Sequence, residues 1–219
     1  MKSHKQWLDN EYEQWVQALN SSSMYNFKEH PMVKRMLGEI EWAEEFMPNV
    51  TGEQFQLLEI IDNIGRRQNE DISGTCWRMV YYAKMILKRN PTDIIEIGGG
   101  SGQFYAVMRA MGFVGDYYIY DIPSVKQFQY RYLAEVTYHT KLALTQTMLE
   151  KGFCVSLYAL GEFDDELKKF YVQEVIQKKC PHGFVIWNPH SGATAEVLFE
   201  CTVKDEYPLL NPGNKQLEW

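Results

Sequence analysis

Along the first ninety residues apolar side chains recur every three to four positions, the spacing of helices that bury one face. Trp7, Leu8, Trp15, Val16 and Leu19 predict a helix over 6–19, ended by Asn20-Ser21-Ser22-Ser23. Pro31 opens a second, with Val33, Met36, Leu37, Ile40 and Phe46 or Met47 in its stripe, and Phe55, Leu58, Ile61 and Ile64 mark a third from Gly52 to Ile64. A polar linker over 65–71 leads to a fourth. Ser73 or Thr75 caps it, Lys88 and Arg89 suit its negative dipole end, and Asn90-Pro91 stops it.

At residue 93 the pattern changes. Ile94, Ile95 and Ile97 are β-branched and nearly continuous, the mark of a parallel strand covered on both faces. Gly98-Gly99-Gly100-Ser101-Gly102 follows, where the chain must turn sharply into a helix carrying Phe104, Val107, Met108 and Met111. Tyr117 to Tyr120 predicts a second strand, and Pro123 starts a helix to about Leu133. Residues 134–152 fit either a third strand at Val136-Thr137-Tyr138 with a helix to Lys151, the reading preferred here, or helix throughout. Gly152 to Tyr158, Gly183 to Trp187 and Thr202 to Tyr207 predict strands, and Ala195 to Glu200 a shortened last helix. Asn211-Pro212-Gly213-Asn214 is a hairpin turn into a final strand at 215–219. The expectation is an α/β fold in one compact unit: a helical cap region over 1–90, then a Rossmann-like core over 91–219 whose mostly parallel sheet ends in an antiparallel strand.

Composition narrows the partners. A chain of 219 residues, 45% hydrophobic, is long enough for a full core, and its net charge of -7 gives no basic footprint for nucleic acid or an anionic membrane. No apolar run approaches the roughly 20 residues of a membrane helix, and MKSHKQ lacks a signal-peptide core, so a cytoplasmic protein is expected. Cys76, Cys154, Cys180 and Cys201 are widely spaced and read as reduced thiols. His30, His139 and His182 form no constellation with carboxylates, so no metal is expected.

The glycine turn carries the candidate chemistry. A dinucleotide fingerprint needs a third glycine at 103, where the chain has Gln103; Gly98 to Gly102 instead matches G-x-G-x-G. That spacing resembles the first motif of class I S-adenosylmethionine-dependent methyltransferases. The resemblance implies that Glu96 and Gly98, Gly99, Gly100 and Gly102 surround the methionine part of the cofactor. Asp121, about 20 residues beyond the turn, ends the second strand where a carboxylate can accept the ribose hydroxyls. Ile122 and Tyr158 complete the implied cofactor-binding set.

The segments IIEIGGGSGQF, YIYDIPSV, VSLYALGEFDDELKKFYVQEVI, GFVIWN and PLLNPGNKQLEW together resemble a family of sugar O-methyltransferases of the class I fold. Tyr158, Ala159, Glu162, Phe170-Tyr171, Asn188 and Pro212-Gly213-Asn214-Lys215 match its pattern, and the likeness spans 65–219. Leu157 stands where that family usually has Asn, removing a polar group from a sheet end. The resemblance implies methyl transfer from S-adenosylmethionine to a hydroxyl of a sugar, glycan precursor or nucleotide sugar. Methylation of another small metabolite and a non-catalytic S-adenosylmethionine-binding relative are the alternatives. Such transfer is an in-line displacement that needs a positioned oxygen and a base. Glu162 and His190, both near strand ends, are the candidate catalytic bases; a loop cap and a surface histidine are the competing readings. Arg66, Arg67 and Tyr81 or Tyr82 are candidate substrate contacts in the helical region, against a reading as solvated charge and half-buried ring.

Overall fold

The computed structural model describes residues 12–31, 33, 42, 44–66, 71–188, 200–208 and 213–219. Three α-helices of the described residues precede the sheet: α1 (Tyr12–Ser21), α2 (Gly52–Asn63) and α3 (Gly74–Leu87). Thr51 and Gln54 close a reciprocal capping box on α2, and the Ser73 side chain accepts from Cys76 N at the start of α3. The second predicted helix falls mostly outside the described residues: Pro31 and Val33 are helical, Trp42 is not, and Glu44–Phe46 forms a short 3₁₀ turn.

The core follows as β1 (Ile94–Ile97), α4 (Gln103–Ala110), β2 (Tyr117–Tyr120), α5 (Pro123–Thr140), β3 (Phe153–Leu157), α6 (Ala159–Glu162), α7 (Asp165–Phe170), β4 (Gly183–Trp187), β5 (Thr202–Asp205) and β6 (Lys215–Glu218). After Phe170, α7 widens into a π-helical stretch, Tyr171–Ile176, before a last turn at Gln177–Lys179. The sheet order is β2-β1-β3-β4-β6-β5. The first four strands are parallel, and β6 lies antiparallel between β4 and β5, as the Pro-Gly turn implied. The last predicted helix, over 195–200, lies outside the described residues but for Glu200, which is not helical. No helix of the described residues is long and apolar enough to cross a membrane.

One expectation fails. Residues 136–138 are not a strand, and no helix runs to Lys151: α5 continues to Thr140, and 141–149 follow without regular structure. The buried positions Val125, Phe128, Gln129, Tyr132, Leu133 and Val136 keep helical spacing to the end, and this continuous stripe outweighs the local β-propensity of Val136-Thr137-Tyr138. The connection instead guards the edge of the sheet. Thr147 N donates to Tyr117 O at 3.1 Å, and the Gln146 side-chain oxygen accepts from Ile119 N at 3.1 Å, closing two backbone groups of β2 that a further strand would otherwise pair.

Strand alternation splits β1 between two cores. Ile95 and Ile97 join the cluster beneath α7, with Cys154, Val175 and Val185, whereas Ile94 joins the larger cluster that α2, α3, α4 and α5 bury. Glu96 shares the Ile94 face and is 3% exposed.

Candidate functional site

The carboxyl ends of β1, β2, β3 and β4 converge on the glycine turn. Gly98 has φ +73°, its N donates to Tyr120 O at 2.8 Å, and a Cβ there would lie 2.2 Å from Ala159 Cβ. Only glycine lets the exits of β1 and β3 touch in this way. Gly100, at φ +55°, is different: a Cβ would meet nothing within 4 Å, so its backbone faces open space.

Asp121 stands beside that opening. Its Oδ2 accepts from Gly100 N at 2.9 Å and from Gln129 Nε2 at 2.9 Å, and its Oδ1 accepts from Ile122 N at 2.8 Å. A carboxylate offers about four acceptor directions, so one on Oδ1 remains. Burial pushes its pKa up to about 6, although these donors pull the other way. Glu96 lies under the turn. Its Oε2 accepts from Tyr117 Oη at 2.9 Å and would be 3.0 Å from a Cβ on Gly99. Burial is the main cause that pushes its pKa up to about 8.

Tyr158 leaves β3 with φ +73°, a strained value for a residue with a side chain. Its hydroxyl donates to Glu206 Oε1, the atom that also accepts from Tyr82 Oη at 2.6 Å, and Asn214 Nδ2 donates to Glu206 Oε2 at 2.7 Å. Glu206 is 1% exposed, a carboxylate buried by three donors from α3, the end of β3 and the start of β6. Burial raises the pKa of both tyrosines, which keeps them protonated as donors. The Arg78 guanidinium lies 4.7 Å from the centre of the Tyr158 ring. One turn on, Asn188 Nδ2 donates to Glu162 Oε1 at 2.8 Å and ties the ends of β3 and β4 together.

The predicted residues thus sort by position. Glu96, Gly98, Gly99, Gly100, Gly102, Asp121 and Ile122 meet at one turn, while Tyr158 and Glu162 stand at the next strand end. The Tyr158 hydroxyl is committed to Glu206 rather than turned to the glycines. His190 and Arg67 lie outside the described residues. Arg66 reaches Asp62 at 3.5 Å, and of the tyrosine pair Tyr82 meets this cluster while Tyr81 packs on Trp42. Sequence reasoning missed Glu206 and Arg78, whose partners Tyr82 and Tyr158 are far away in the chain.

Gln103, which takes the place of a third glycine, has its own task. Its Nε2 donates to Asp62 Oδ1 at 3.0 Å, fastening the first turn of α4 to the helical region. Burial alone would raise the Asp62 carboxyl, but the Lys28 ammonium, the Ser73 N and Oγ donors and Arg66 hold it below its ordinary value. On the other side of the turn, Phe163 stacks on Tyr171 at 5.3 Å and Tyr171 meets Tyr120 edge-on at 6.5 Å, an aromatic wall that includes the first residue of the π-helical stretch. Among the described residues no group of three His, Cys, Asp or Glu side chains could hold a metal ion.

No protein-family model and no curated protein matches the chain. Among solved structures it is similar to an O-methyltransferase family protein from Burkholderia thailandensis, at TM-score 0.44 and 9% identity over 98% of this chain and 69% of that one. It is also similar to an S-adenosylmethionine-dependent methyltransferase from Aquifex aeolicus, at 0.39 and 12% over 62% and 87%. A third is magnesium protoporphyrin IX methyltransferase from Synechocystis PCC 6803 with bound S-adenosylmethionine, at 0.45 and 11% over 64% and 76%. The fold is Rossmann-like α/β. In such sheets ligands bind in the crevice outside the carboxyl ends of the strands, where Asp121, the glycine turn and Tyr158 stand at the ends of the neighbouring strands β2, β1 and β3.

Proposed function

We propose that the chain is an S-adenosylmethionine-dependent O-methyltransferase whose acceptor is a hydroxyl of a sugar, glycan precursor or nucleotide sugar. The observation that carries this reading is an open backbone position, Gly100, beside a carboxylate, Asp121, at the ends of adjacent parallel strands. The residues present fit the cofactor: Gly100 lets it approach the backbone, Asp121 Oδ1 keeps an acceptor direction for a ribose hydroxyl, and the acid Glu96 lies beneath the glycines. When bound, S-adenosylmethionine supplies an electrophilic methyl group on a sulfonium. The chain has to hold the acceptor oxygen in line and take its proton. Glu162, steadied by Asn188 at the ends of β3 and β4, is the proposed proton acceptor, with His190 as the other candidate. The match of Tyr158, Ala159, Glu162 and Asn188 to the sugar O-methyltransferase pattern supports a sugar as acceptor.

Leu157 favours a second reading, a cofactor-binding protein without transfer activity. It is half-buried against the larger core and brings no polar group to the strand end. Calorimetry with S-adenosylhomocysteine and NAD side by side, followed by methyl transfer to sugars and nucleotide sugars, tests both. The expected outcome is binding of the first ligand alone, with transfer to one acceptor. Binding of NAD alone would overturn the methyltransferase reading, and cofactor binding with no transfer to any acceptor would favour the second.

A further inference from the structure

We propose that Arg78 is the anion-recognition residue of the acceptor site, so that the acceptor carries a phosphate or carboxylate group. This rests on the methyl-transfer reading and extends it. Arg78 projects from α3 and is half-buried at the carboxyl end of β3. Among the described residues its guanidinium makes no ion pair and no hydrogen bond, and it lies over the face of Tyr158 at 4.7 Å. Every other described arginine is engaged: Arg66 by Asp62, Arg89 by Glu218, Arg109 by Phe113 O, and Arg131 by Asn20 O and Ser22 O. Five N–H donors of a permanent cation thus stand half-buried at a strand end with no hydrogen-bond acceptor among the described residues, an arrangement that favours a ligand able to supply one.

The support beneath Arg78 is built. Tyr158 is held by its own backbone at φ +73° and by its hydroxyl on Glu206, so its ring is a fixed platform for the cation. The carboxylate nearest that platform is occupied: Tyr82, Tyr158 and Asn214 all donate to Glu206. The next residue along the chain, Ala159, abuts Gly98, so the platform that carries the arginine leaves β3 one residue before the contact with the glycine turn. A guanidinium fork matches phosphate and carboxylate oxygens two at a time, and a chain of net charge -7 otherwise repels such ligands, so an unpaired arginine at this spot gives an anionic acceptor its attraction.

The test is calorimetry on the parent chain, Arg78→Gln and Arg78→Lys, each saturated with S-adenosylhomocysteine, using UDP, UDP-glucose, glucuronate and glucose as probes. An anionic probe is expected to bind the parent at least about tenfold more tightly than glucose, less so in high salt, and Arg78→Gln should remove about tenfold or more of that preference, with Arg78→Lys intermediate. Thermal unfolding and S-adenosylhomocysteine affinity should be unchanged in both variants. Preference for UDP over glucuronate would identify phosphate as the recognised group, and the reverse carboxylate. The proposal is overturned if no anionic probe outbinds glucose, or if Arg78→Gln binds the anions as the parent does. Failure of the parent to bind S-adenosylhomocysteine, with Arg78-dependent binding of UDP intact, would remove the methyl-transfer reading and leave the anion site standing.

Discussion

Glu96 offers a prediction that needs no substrate. Its carboxyl is 3% exposed beneath the glycine turn, and its pKa is pushed up to about 8 from an ordinary 4.5, by burial first, with the charge of Asp121 adding and the Tyr117 hydrogen bond partly offsetting. Because the folded pKa is the higher one, the folded chain holds a proton between pH 4.5 and 8 that the unfolded chain releases, so this residue makes stability fall as pH rises through that window. The slope reaches about 1.4 kcal/mol per pH unit, and integrating from pH 5 to pH 7 gives a loss of about 2.5 kcal/mol. Glu96→Gln imitates the protonated acid, keeps an acceptor for Tyr117 Oη, and has no such slope. At this chain length 1 kcal/mol corresponds to about 2–4 °C, so the variant's Tm advantage over the parent should widen by about 5–10 °C between pH 5 and pH 7. Asp121 also titrates in this range, but in both proteins, and it cancels in the difference. Thermal unfolding of the two proteins at half-unit pH steps measures the effect, and parallel Tm curves would refute the reasoning, placing the Glu96 pKa near its ordinary value.

Three further outcomes concern the site. Asp121→Ala should weaken S-adenosylhomocysteine binding by about 1.5–3 kcal/mol, read by calorimetry, because hydrogen bonds to a charged acceptor are lost; unchanged affinity in a folded variant would mean the carboxylate does not hold the ribose. Gly100→Val puts a side chain into open space at φ +55°, so it should cost only about 1–3 kcal/mol of backbone strain in stability yet abolish cofactor binding, and intact binding would reduce the turn to a structural one. Glu162→Gln should lower methyl-transfer turnover by ~10²–10⁴-fold with cofactor affinity kept, and turnover equal to the parent's would remove Glu162 as the base.

What the sequence shows plainly is what local chemistry decides. β1 and the glycine turn are legible because a β-branched run and the glycines act within ten residues, and the β5–β6 hairpin because Pro and Gly stand between two strand-like runs. The end of α5 was misread where a short β-prone triplet, Val136-Thr137-Tyr138, competed with a longer helical stripe that packs against the core. Glu206 was out of reach for a different reason. Its meeting with Tyr82 joins positions 124 apart in the chain, and nothing local distinguishes an acid buried by three donors from one in solvent. Gln103 was legible only as a missing glycine; its bond to Asp62 depends on how α2 docks against α4.

That docking bears on how such a protein could be redesigned. The larger apolar cluster runs without a break from Leu58, Ile61 and Ile86 in the helical region through Ile94, Phe104 and Val107 to Val155 and Phe184 in the sheet, and Asp62 and Glu206 are each bonded from both sides of residue 90. The described helices before residue 90 and the sheet therefore share one buried core. A chimera spliced at Pro91 would cut one buried cluster in two, take Asp62 from Gln103 and take one donor, Tyr82, from Glu206, so point changes on α3 disturb far less of the packing.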